Sequence, residues 1–417
     1  MGNSFGNRAF SQNLRKDRLR DLLKRYGLMR HLFLLAVFFM MVMLAASCRD
    51  IGDVKEDRCK RAEKALGNII IGVAAPFKWL DGKSSYKQGI EMAAEEINDD
   101  GGVMQRKITL VFRDDHGDVD QGRIIAQEFA ENLDMTAVIG HFNSHVSIPA
   151  SIMYQYYGLL MLSPASTADE LTDQLGYDMI FRNIPTSKVM AEGLARFCAS
   201  RGYKKMIVYG LDNKGGTALA NAFEYRAAEL GIDIVDYRTF DFTSDAFYFS
   251  QDIERWDRYF QIDAIFLSSN VEQGLAFIRA ARKLGMNQPI ITGDGLDSPL
   301  ILKNTGEDKG TVIVGSYYHQ DMPGKTSLGF VYRFQRKYGI LPDVWAAQGY
   351  DAVKILAAAM NKAGTTVPSK VSESLRSIEN WEGVTGTYQF NEHGDVINKR
   401  IVIKQAKTGH YEYIGME

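Results

Sequence analysis

The stretch "NIIIGVAAPFKWLDGKSSYKQGIEMAAEEINDD", residues 68–100, contains the pattern on which the fold depends. Its first seven residues form an apolar run, which is typical of a strand buried on both faces. From residue 84 onward, apolar residues recur at helical spacing until Gly101 and Gly102, where a helix would end. This order predicts a buried strand followed by a helix that covers its sheet.

The same order of strand and helix recurs along the chain in two successive series. Apolar runs alternate with amphipathic stretches, and Gly202, Gly231 and Gly285 stand where three of the helices would end. Strands that are apolar throughout belong to parallel sheets covered on both faces. The sequence therefore predicts the α/β class, with two doubly wound, Rossmann-like lobes.

The last part of the chain departs from this pattern. Residues 343–364 predict one long helix. Residues 383–415 alternate apolar and polar residues around "NEHGD" (391–395), which predicts a β-hairpin.

Composition excludes several classes of protein. The chain has 417 residues, of which 46% are hydrophobic and 24% charged, which is enough for two packed domains. Its formal net charge of −2 gives no reason to expect a nucleic-acid partner. Cys48, Cys59 and Cys198 are too few for a disulfide scaffold and lack the spacing of zinc ligands. Cys59 is either free or paired with Cys198.

The N-terminus has the features of an export signal. Residues 32–46 are an apolar run of 15 residues, shorter than the roughly 20 residues of a spanning helix. The small residues before Cys48 resemble the lipobox of bacterial lipoproteins, although Ala45 and Ser47 are not the commonest residues at their positions. We therefore expect residues 1–48 to be a signal peptide that ends at a lipid-carrying Cys48. An uncleaved anchor and an ordinary cleavage site near Cys48 are the alternatives.

Two further expectations concern this region. Translation could start at Met29, since the peptide from there to Cys48 is itself a complete signal peptide of usual length. Residues 49–66 are rich in charge and have little apolar pattern, so they predict a tether between the anchor and an exported, periplasmic or cell-surface domain.

Polar clusters follow three of the predicted strands, at residues 140–147, 163–172 and 293–298. In open parallel sheets ligands bind outside the carboxyl ends of the strands. The first two clusters lead into predicted helices, and the capping-box spacing of Thr167 and Glu170 puts Thr167 at an N-cap. Unpaired amides at helix starts, together with hydroxyl groups, predict a pocket for a carboxylate. Alternatively, the hydroxyls only cap their own helices.

The side chains that would build this pocket carry both donors and a negative charge. The donors are the hydroxyl groups of Ser144, Ser166 and Thr167. Asp294, between two glycines after a strand of the second series, would face an ammonium group across the cleft. The alternative for Asp294 is a structural role in a glycine-rich turn.

The order of "GVAAPFKWLDGKSSYKQGIEMAAEEIN" (72–98), "VIGHFNSHVSIPAS" (138–151), "LLMLSPASTADELT" (159–172), "ARKLG" (281–285) and "GDG" (293–295) resembles the periplasmic Leu/Ile/Val-binding protein family. These are type I solute-binding proteins of ABC importers. The likeness covers about residues 67–405, and its most specific part is the pair "GH..S....PAS" and "SPA.T..ELT".

The resemblance implies roles for individual residues and an arrangement of lobes. Ser144, Ala165 and Thr167 match positions that hold a ligand carboxylate, Asp294 matches the acidic residue for the α-ammonium group, and Trp79 matches an aromatic residue near the ligand side chain. Lobe one would take residues 67–185 and 318–388, and lobe two residues 186–317 and 389–417. Hinge strands would join the lobes, as in the type I periplasmic binding protein fold.

The sequence departs from the family at two positions. Gly215, next to Lys214, occupies the position of a tyrosine that closes over the ligand from the second lobe. The family's paired cysteines in the first lobe are absent, since Asn143 fills one of their positions. The missing aromatic side chain allows a ligand larger than a branched amino acid, an acidic one, or one that is not an amino acid.

Other classes of function find less support. His141 and His145 are four residues apart, but no glutamate accompanies them, so we expect no metal site. The carboxylate-rich "RDDHGDVD" (113–120) lacks the glycine placement of a calcium loop. No nucleophile or phosphate-binding motif indicates an enzyme, and no cofactor is expected. An extracytoplasmic sensor that signals through a membrane partner uses the same fold and stays an alternative.

These observations together predict an exported, lipid-anchored solute-binding protein. It would capture a small amino-acid-like or related polar ligand between its lobes and deliver it to the membrane subunits of an ABC importer.

Overall fold

The computed structural model describes residues 51–173, 176–303, 310–322 and 324–417. Residues 55–417 form one compact unit, which contains every strand named below. Cys48 and the predicted signal peptide lie outside the described residues. Within the described ranges, no helix is long and apolar enough to cross a membrane.

The first sheet has five parallel strands in the order β2-β1-β3-β4-β5. Strand β1 (Ile69–Ala75) is buried almost throughout, as its apolar sequence predicted. The strands are β1 (Ile69–Ala75), β2 (Ile108–Asp114), β3 (Met135–Ile139), β4 (Leu160–Ser163) and β5 (Ile180–Arg182).

Helices cover both faces of this sheet. The longest, α12, packs against α3 so closely that a Cβ at Gly89 would clash with the backbone of Ala346. The helices before β6 in this lobe are α1 (Ile51–Lys64), α2 (Phe77–Leu80), α3 (Tyr86–Asp99), α4 (Val119–Glu131) and α5 (Ser144–Tyr157), whereas the next helix, α6 (Ser187–Ser200), packs against the second sheet. The later helices of the first lobe are α11 (Lys325–Tyr338), α12 (Val344–Ala363) and α13 (Pro368–Arg376).

The second sheet has seven strands in the order β14-β13-β10-β9-β8-β6-β7. Strands β6 to β10 are parallel, whereas β13 and β14 add an antiparallel hairpin at one edge. The strands are β6 (Lys205–Leu211), β7 (Asp233–Phe240), β8 (Ala264–Ser268), β9 (Ile290–Thr292), β10 (Val312–Ser316), β13 (Val402–Lys407) and β14 (His410–Met416). The helices that follow its parallel strands are α7 (Lys214–Glu229), α8 (Ala246–Tyr259), α9 (Val271–Lys283) and α10 (Pro299–Leu302).

The parallel strands of the two sheets follow the same winding. β7-β6-β8-β9-β10 repeats, in chain order, the arrangement β2-β1-β3-β4-β5. In both sheets the order reverses next to the first strand, and ligands bind at such switch points. The predicted class, two doubly wound α/β lobes, is confirmed.

The C-terminal part differs from the prediction in one respect. Helix α12 was predicted and is present, but the hairpin expected around residues 391–395 is reduced to a single bridge between Phe390 and Val396. The regular hairpins lie on either side of it, in β11 (Trp381–Gly383) with β12 (Gly386–Tyr388), and in β13 with β14. The predicted turn at residues 391–395 is present, since backbone hydrogen bonds join Asn391 to Asp395 and Ile397 to Gln389. Alternation of apolar and polar residues does not show where the longer strand pairings lie.

The segment predicted as a tether contains a helix, α1, which the sequence did not predict. Arg58, only 1% exposed, donates hydrogen bonds to the carbonyl oxygens of Met135 (2.8 Å), Asn132 (3.1 Å) and Tyr157 (3.1 Å), and also to that of Ala130. These carbonyls lie at the ends of α4 and α5 and at the start of β3. One guanidinium group therefore anchors α1 to the first lobe.

Both cysteines in the described part of the chain are free. Cys59 lies on α1 with its sulfur 4.0 Å from the Ser369 hydroxyl, and Cys198 is buried in α6. The pairing of Cys59 with Cys198 left open by the sequence does not occur in this structure.

Buried polar contacts connect the segments that cross between the lobes. Asn183, just after β5, donates from Nδ2 to the carbonyl oxygen of Gln348 at 3.0 Å. Lys399, in the crossing before β13, donates to the Thr385 hydroxyl at 2.6 Å and lies over the ring of Tyr388. These contacts tie the crossings to the first lobe.

Candidate ligand-binding site

A cavity of about 140 Å³ lies between the two sheets. Its walls come from segments that follow β1, β3 and β4 in the first lobe and β6, β8 and β9 in the second. These are the carboxyl ends of strands on both sides of each switch point, where the winding order predicts a ligand. A cavity of this size suits a small molecule, since an engineered cavity of about 150 Å³ holds benzene.

Two hydroxyl groups of the first lobe line this cavity. Ser144, at the start of α5, accepts a hydrogen bond from the Ala168 amide at 3.3 Å. Thr167 accepts one from the Ser187 hydroxyl at 3.1 Å. Each of the two hydroxyls thus accepts a bond from the protein, while its own proton has no acceptor among the described residues. Both can donate to an anion in the cavity.

His141 fixes the loop that leads to Ser144 through several buried hydrogen bonds. Its buried ring lies 2.7 Å from Asp115 Oδ2 and 3.1 Å from the Tyr154 hydroxyl, and its carbonyl oxygen accepts from Ser147 at 3.0 Å and Ser163 at 2.9 Å. These bonds leave the loop little freedom. His141 therefore has a structural role.

The neighbouring His145 has a different partner, since its Nε2 lies 2.9 Å from the Gly117 carbonyl oxygen. The two histidines do not converge on one point. In the part of the chain that the structure describes, no three His, Cys, Asp or Glu side chains are grouped as metal ligands.

Ser166 faces away from the cavity, contrary to the expectation that all three hydroxyls point into it. Its hydroxyl is fully buried, lies 2.6 Å from that of Ser147 and donates toward the Phe142 carbonyl oxygen at 3.2 Å. Successive side chains of an extended segment point in opposite directions. Ala165 and Thr167 therefore line the cavity, whereas Ser166 supports the loop beneath it.

The expected helix after residue 167 is also shorter than predicted. Only a single 3₁₀ turn, Asp169–Leu171, forms, and the residue before it is Ala168. Thr167 is therefore not the N-cap that its spacing to Glu170 suggested. The Arg182 side chain, which donates to the Ala168 carbonyl oxygen at 2.7 Å, holds this segment in place.

The opposite wall contributes a carboxylate without a cation. Asp294 begins a 3₁₀ turn after β9, is 7% exposed and lines the cavity. Burial, with a smaller effect of the nearby Asp297, raises the pKa of Asp294 to about 7. Asp297 is itself paired with Lys404 at 2.6 Å, whereas Asp294 forms no salt bridge with a described residue. A ligand ammonium group would compensate its charge.

Aromatic side chains form the apolar part of the cavity. Phe142 and Trp345 lie with their ring centroids 4.8 Å apart, and both line it together with Trp79. The ammonium group of Lys83 lies 4.7 Å from the centroid of the Trp79 ring and pairs with Glu272 of the second lobe. Within the described lining, Lys83 is the one lysine or arginine, and Glu272 already matches its charge.

Gly215 stands opposite Ser144, at the point where the lobes approach each other. A Cβ at residue 215 would lie 3.7 Å from the Ser144 hydroxyl oxygen and 3.8 Å from the Asn213 amide oxygen. These are ordinary van der Waals distances, so the two lobes come within contact distance of each other at this point.

The sequence analysis did not select several polar residues of the second lobe that line the cavity, among them Asn213, Ser269 and Asn270. Asn213 follows β6, and the other two follow β8. Ligands bind outside the carboxyl ends of parallel strands, which is the rule that selected residues 140–147 and 163–172. The same rule, applied to β6 and β8, would have selected these three residues.

Contacts between the lobes surround the cavity. Lys83 pairs with Glu272 on one side, and Lys214 pairs with Glu170 at 3.2 Å on another. The rings of His145 and Phe242 meet with their centroids 6.5 Å apart. The structure therefore represents a closed arrangement of the two lobes.

Comparison with known proteins agrees with this architecture. The family described as "Periplasmic binding protein" matches residues 69–410. The chain belongs to this family. Its members bind solutes, and membership implies an extracytoplasmic location.

Individual relatives support the resemblance found in the sequence. Leu/Ile/Val-binding protein homolog 1 of Brucella abortus is 26% identical over 357 residues, which cover 84% of this chain and 94% of the relative. A crystal structure of an ABC transporter substrate-binding protein from Desulfitobacterium hafniense in complex with Leu is 39% identical, with a TM-score of 0.74, and covers 83% of this chain and 100% of its own. The predicted relationship to the Leu/Ile/Val-binding proteins is confirmed.

The fold extends to proteins with other ligands. A solute-binding protein of an ABC transporter from R. palustris, solved in complex with benzoate, has a TM-score of 0.75 at 17% identity, and covers 84% of this chain and 96% of its own. This likeness concerns the fold alone. The ligand has to be argued from the cavity of each protein.

Proposed function

We propose that this protein captures a small amino acid in the cleft between its lobes and delivers it to the membrane subunits of an ABC importer. One observation carries the proposal. The cavity has two hydroxyl donors, Ser144 and Thr167, in the first lobe and a carboxylate without a cation, Asp294, in the second. This charge pattern complements an α-carboxylate and an α-ammonium group.

The mechanism follows from the placement of these groups on different lobes. The ligand carboxylate first accepts hydrogen bonds from Ser144 and Thr167, and the aromatic part of the cavity receives an apolar side chain. Asp294 then pairs with the ammonium group from the second lobe. A ligand that touches both lobes favours the closed state over the open one. The importer would recognise the closed form.

The leucine complex of the Desulfitobacterium hafniense relative supports an apolar amino acid as the first ligand to test. We expect saturable binding of one or more of the twenty amino acids without turnover, measured by isothermal titration calorimetry. Chemical conversion of the ligand would instead indicate an enzyme.

The pocket assignment is tested by removing the two hydroxyls. Ser144→Ala and Thr167→Ala should each weaken binding by about 1–3 kcal/mol, roughly 5- to 150-fold, because each removes a hydrogen bond to a charged group. Ser166→Ala is the matched control, since its hydroxyl faces the interior and its loss should change stability more than affinity. Unchanged affinity in both cavity variants would reject the assignment.

The finer proposal of a lipid anchor rests on the sequence before residue 49. Cys48 lies outside the described residues, and the apolar run with small residues before Cys48 supports a lipid on its thiol. Cys48→Ser should move the exported protein from the membrane fraction to the soluble fraction. Membrane association that survives the substitution would favour an uncleaved anchor helix.

A further inference from the structure

The second lobe contains a hydroxyl group that lacks a partner. Ser269, which follows β8, lines the cavity, and its hydroxyl oxygen is buried without a hydrogen bond to any described residue. Its neighbour Ser268 shows the usual arrangement, because its hydroxyl donates to the Gly216 carbonyl oxygen at 2.8 Å. A buried polar group without a partner costs about 1–3 kcal/mol. Such groups in native proteins call for an explanation.

Two asparagines that line the same wall as Ser269 also have side-chain N–H groups without an acceptor among the described residues. Asn213 and Asn270 cap α7 and α9, and their amide oxygens accept from the backbone amides of Gly216 at 2.7 Å and Gln273 at 3.1 Å. Capping uses only the oxygen of each side chain. Over the described ranges, neither amide nitrogen has an acceptor. The second-lobe wall therefore offers two amide groups and one hydroxyl to the cavity.

Gly215 keeps these donors accessible from the first lobe. A Cβ at this position would lie within 4 Å of both the Ser144 hydroxyl and the Asn213 side chain, so a larger side chain would enter the gap between them. With glycine, a ligand held by Ser144 can reach Asn213 directly.

We propose that Ser269, Asn213 and Asn270 form a ligand-binding subsite on the second lobe. It would bind a hydrogen-bond acceptor of the solute, that is, a carboxylate, carbonyl or hydroxyl oxygen. The inference rests on the proposed function, because the subsite lies in the same cavity. It adds the second-lobe contacts that close the protein over the ligand, in a chain that lacks the aromatic residue at 215.

The decisive variant is Ser269→Ala, tested with whichever of the twenty amino acids binds the unmodified protein most tightly. We expect a loss of affinity of about tenfold by calorimetry, since a hydrogen bond to the ligand is lost. The melting temperature of the ligand-free protein should stay the same or rise, because the variant removes an unsatisfied hydroxyl. Ser151→Ala is the control, as that buried hydroxyl donates to the Ile148 carbonyl oxygen outside the cavity.

A second variant, Asn213→Asp, keeps the capping oxygen and replaces the amide donors with an acceptor. Asp is as good an N-cap as Asn, so the ligand-free melting temperature should be retained while affinity falls by more than tenfold. Affinity unchanged in both Ser269→Ala and Asn213→Asp overturns the subsite and leaves the proposed function intact. If the unmodified protein binds none of the amino acids, the proposed function fails, and this inference fails with it.

Discussion

At the scale of single residues, two carboxylates close in sequence have opposite roles. Asp297 is buried, but Lys404 compensates its charge and the Ser316 hydroxyl donates to it. Asp294 is buried without such a cation, and burial raises its pKa to about 7. Asp297 therefore stabilises the second lobe. The charged form of Asp294 instead lowers the stability of the fold until a positively charged ligand binds.

This difference gives a pH-dependent prediction for Asp294→Asn without ligand. The folded-state pKa lies above the unfolded value, so the cost of the charge is absent below about pH 4 and grows as the pH rises toward 7. We expect the variant to exceed the unmodified protein in unfolding free energy by on the order of 2 kcal/mol at pH 8. Denaturant unfolding at pH 4 and pH 8 measures it.

The same substitution should abolish amino-acid binding, because the ligand ammonium group loses the carboxylate that compensates its charge. A stability difference that is equal at both pH values would show that Asp294 is not desolvated in the folded protein. Asp263→Asn serves as a control, since this carboxylate accepts from the Lys204 and Lys205 amides and its pKa is lowered.

At the scale of elements, helix α1 shows how one side chain can attach a charge-rich segment to a lobe. Arg58 donates to the carbonyl oxygens of Ala130 and Tyr157, which lie in the last turns of α4 and α5, where carbonyls lack a donor from their own helix. Burial lowers its pKa to about 10, so the guanidinium is charged at neutral pH.

Arg58→Ala should therefore release α1 and lower the unfolding free energy by on the order of 3 kcal/mol, because several carbonyls lose a charged donor. Hydrogen exchange of the amides of residues 55–64 reports the release directly. Arg61→Ala on the same helix is the matched control, since that side chain is exposed and lies 3.5 Å from Asp134. Equal protection of α1 in both variants would contradict the anchoring role.

At the scale of the whole molecule, the ligand cavity exists only because two separately wound sheets meet. Each sheet has a switch point in its strand order, and the carboxyl ends of the strands beside it line the cavity. The carboxyl ends of the two sheets therefore face each other across the cavity. Two ion pairs, Lys83 with Glu272 and Lys214 with Glu170, then bridge the lobes at the rim. They stabilise the closed state alone, so they should influence affinity without touching the ligand.

The double variant Glu170→Gln with Glu272→Gln tests this coupling. Exposed ion pairs contribute about 0.2–1 kcal/mol each, so the loss of both should lower ligand affinity at low salt roughly two- to thirtyfold. The difference should shrink at high ionic strength, because salt screens exposed charges. Glu229→Gln removes a pair with Arg226 within α7 alone and should leave affinity unchanged. An effect of the double variant that does not depend on salt would exclude the electrostatic explanation.

Local pattern alone was enough for much of the architecture. Apolar runs, helical periodicity and glycine stops are properties of neighbouring residues, so they predicted the strands and helices and hence the two α/β lobes. They also located the strand ends that supply Ser144, Thr167 and Asp294, since a ligand in such sheets lies at those ends. Neither the direction of a side chain nor the presence of its partner follows from such patterns.

Tertiary structure decided which polar groups are free to bind. Ser166 is satisfied by Ser147 and turned inward, Asp294 lacks the cation that Asp297 finds in Lys404, and Ser269 has no partner. Arg58 reaches carbonyls more than 70 positions away in the chain, which no local pattern could indicate. A polar group becomes a binding group when folding buries it without satisfying it, and that depends on residues distant in sequence.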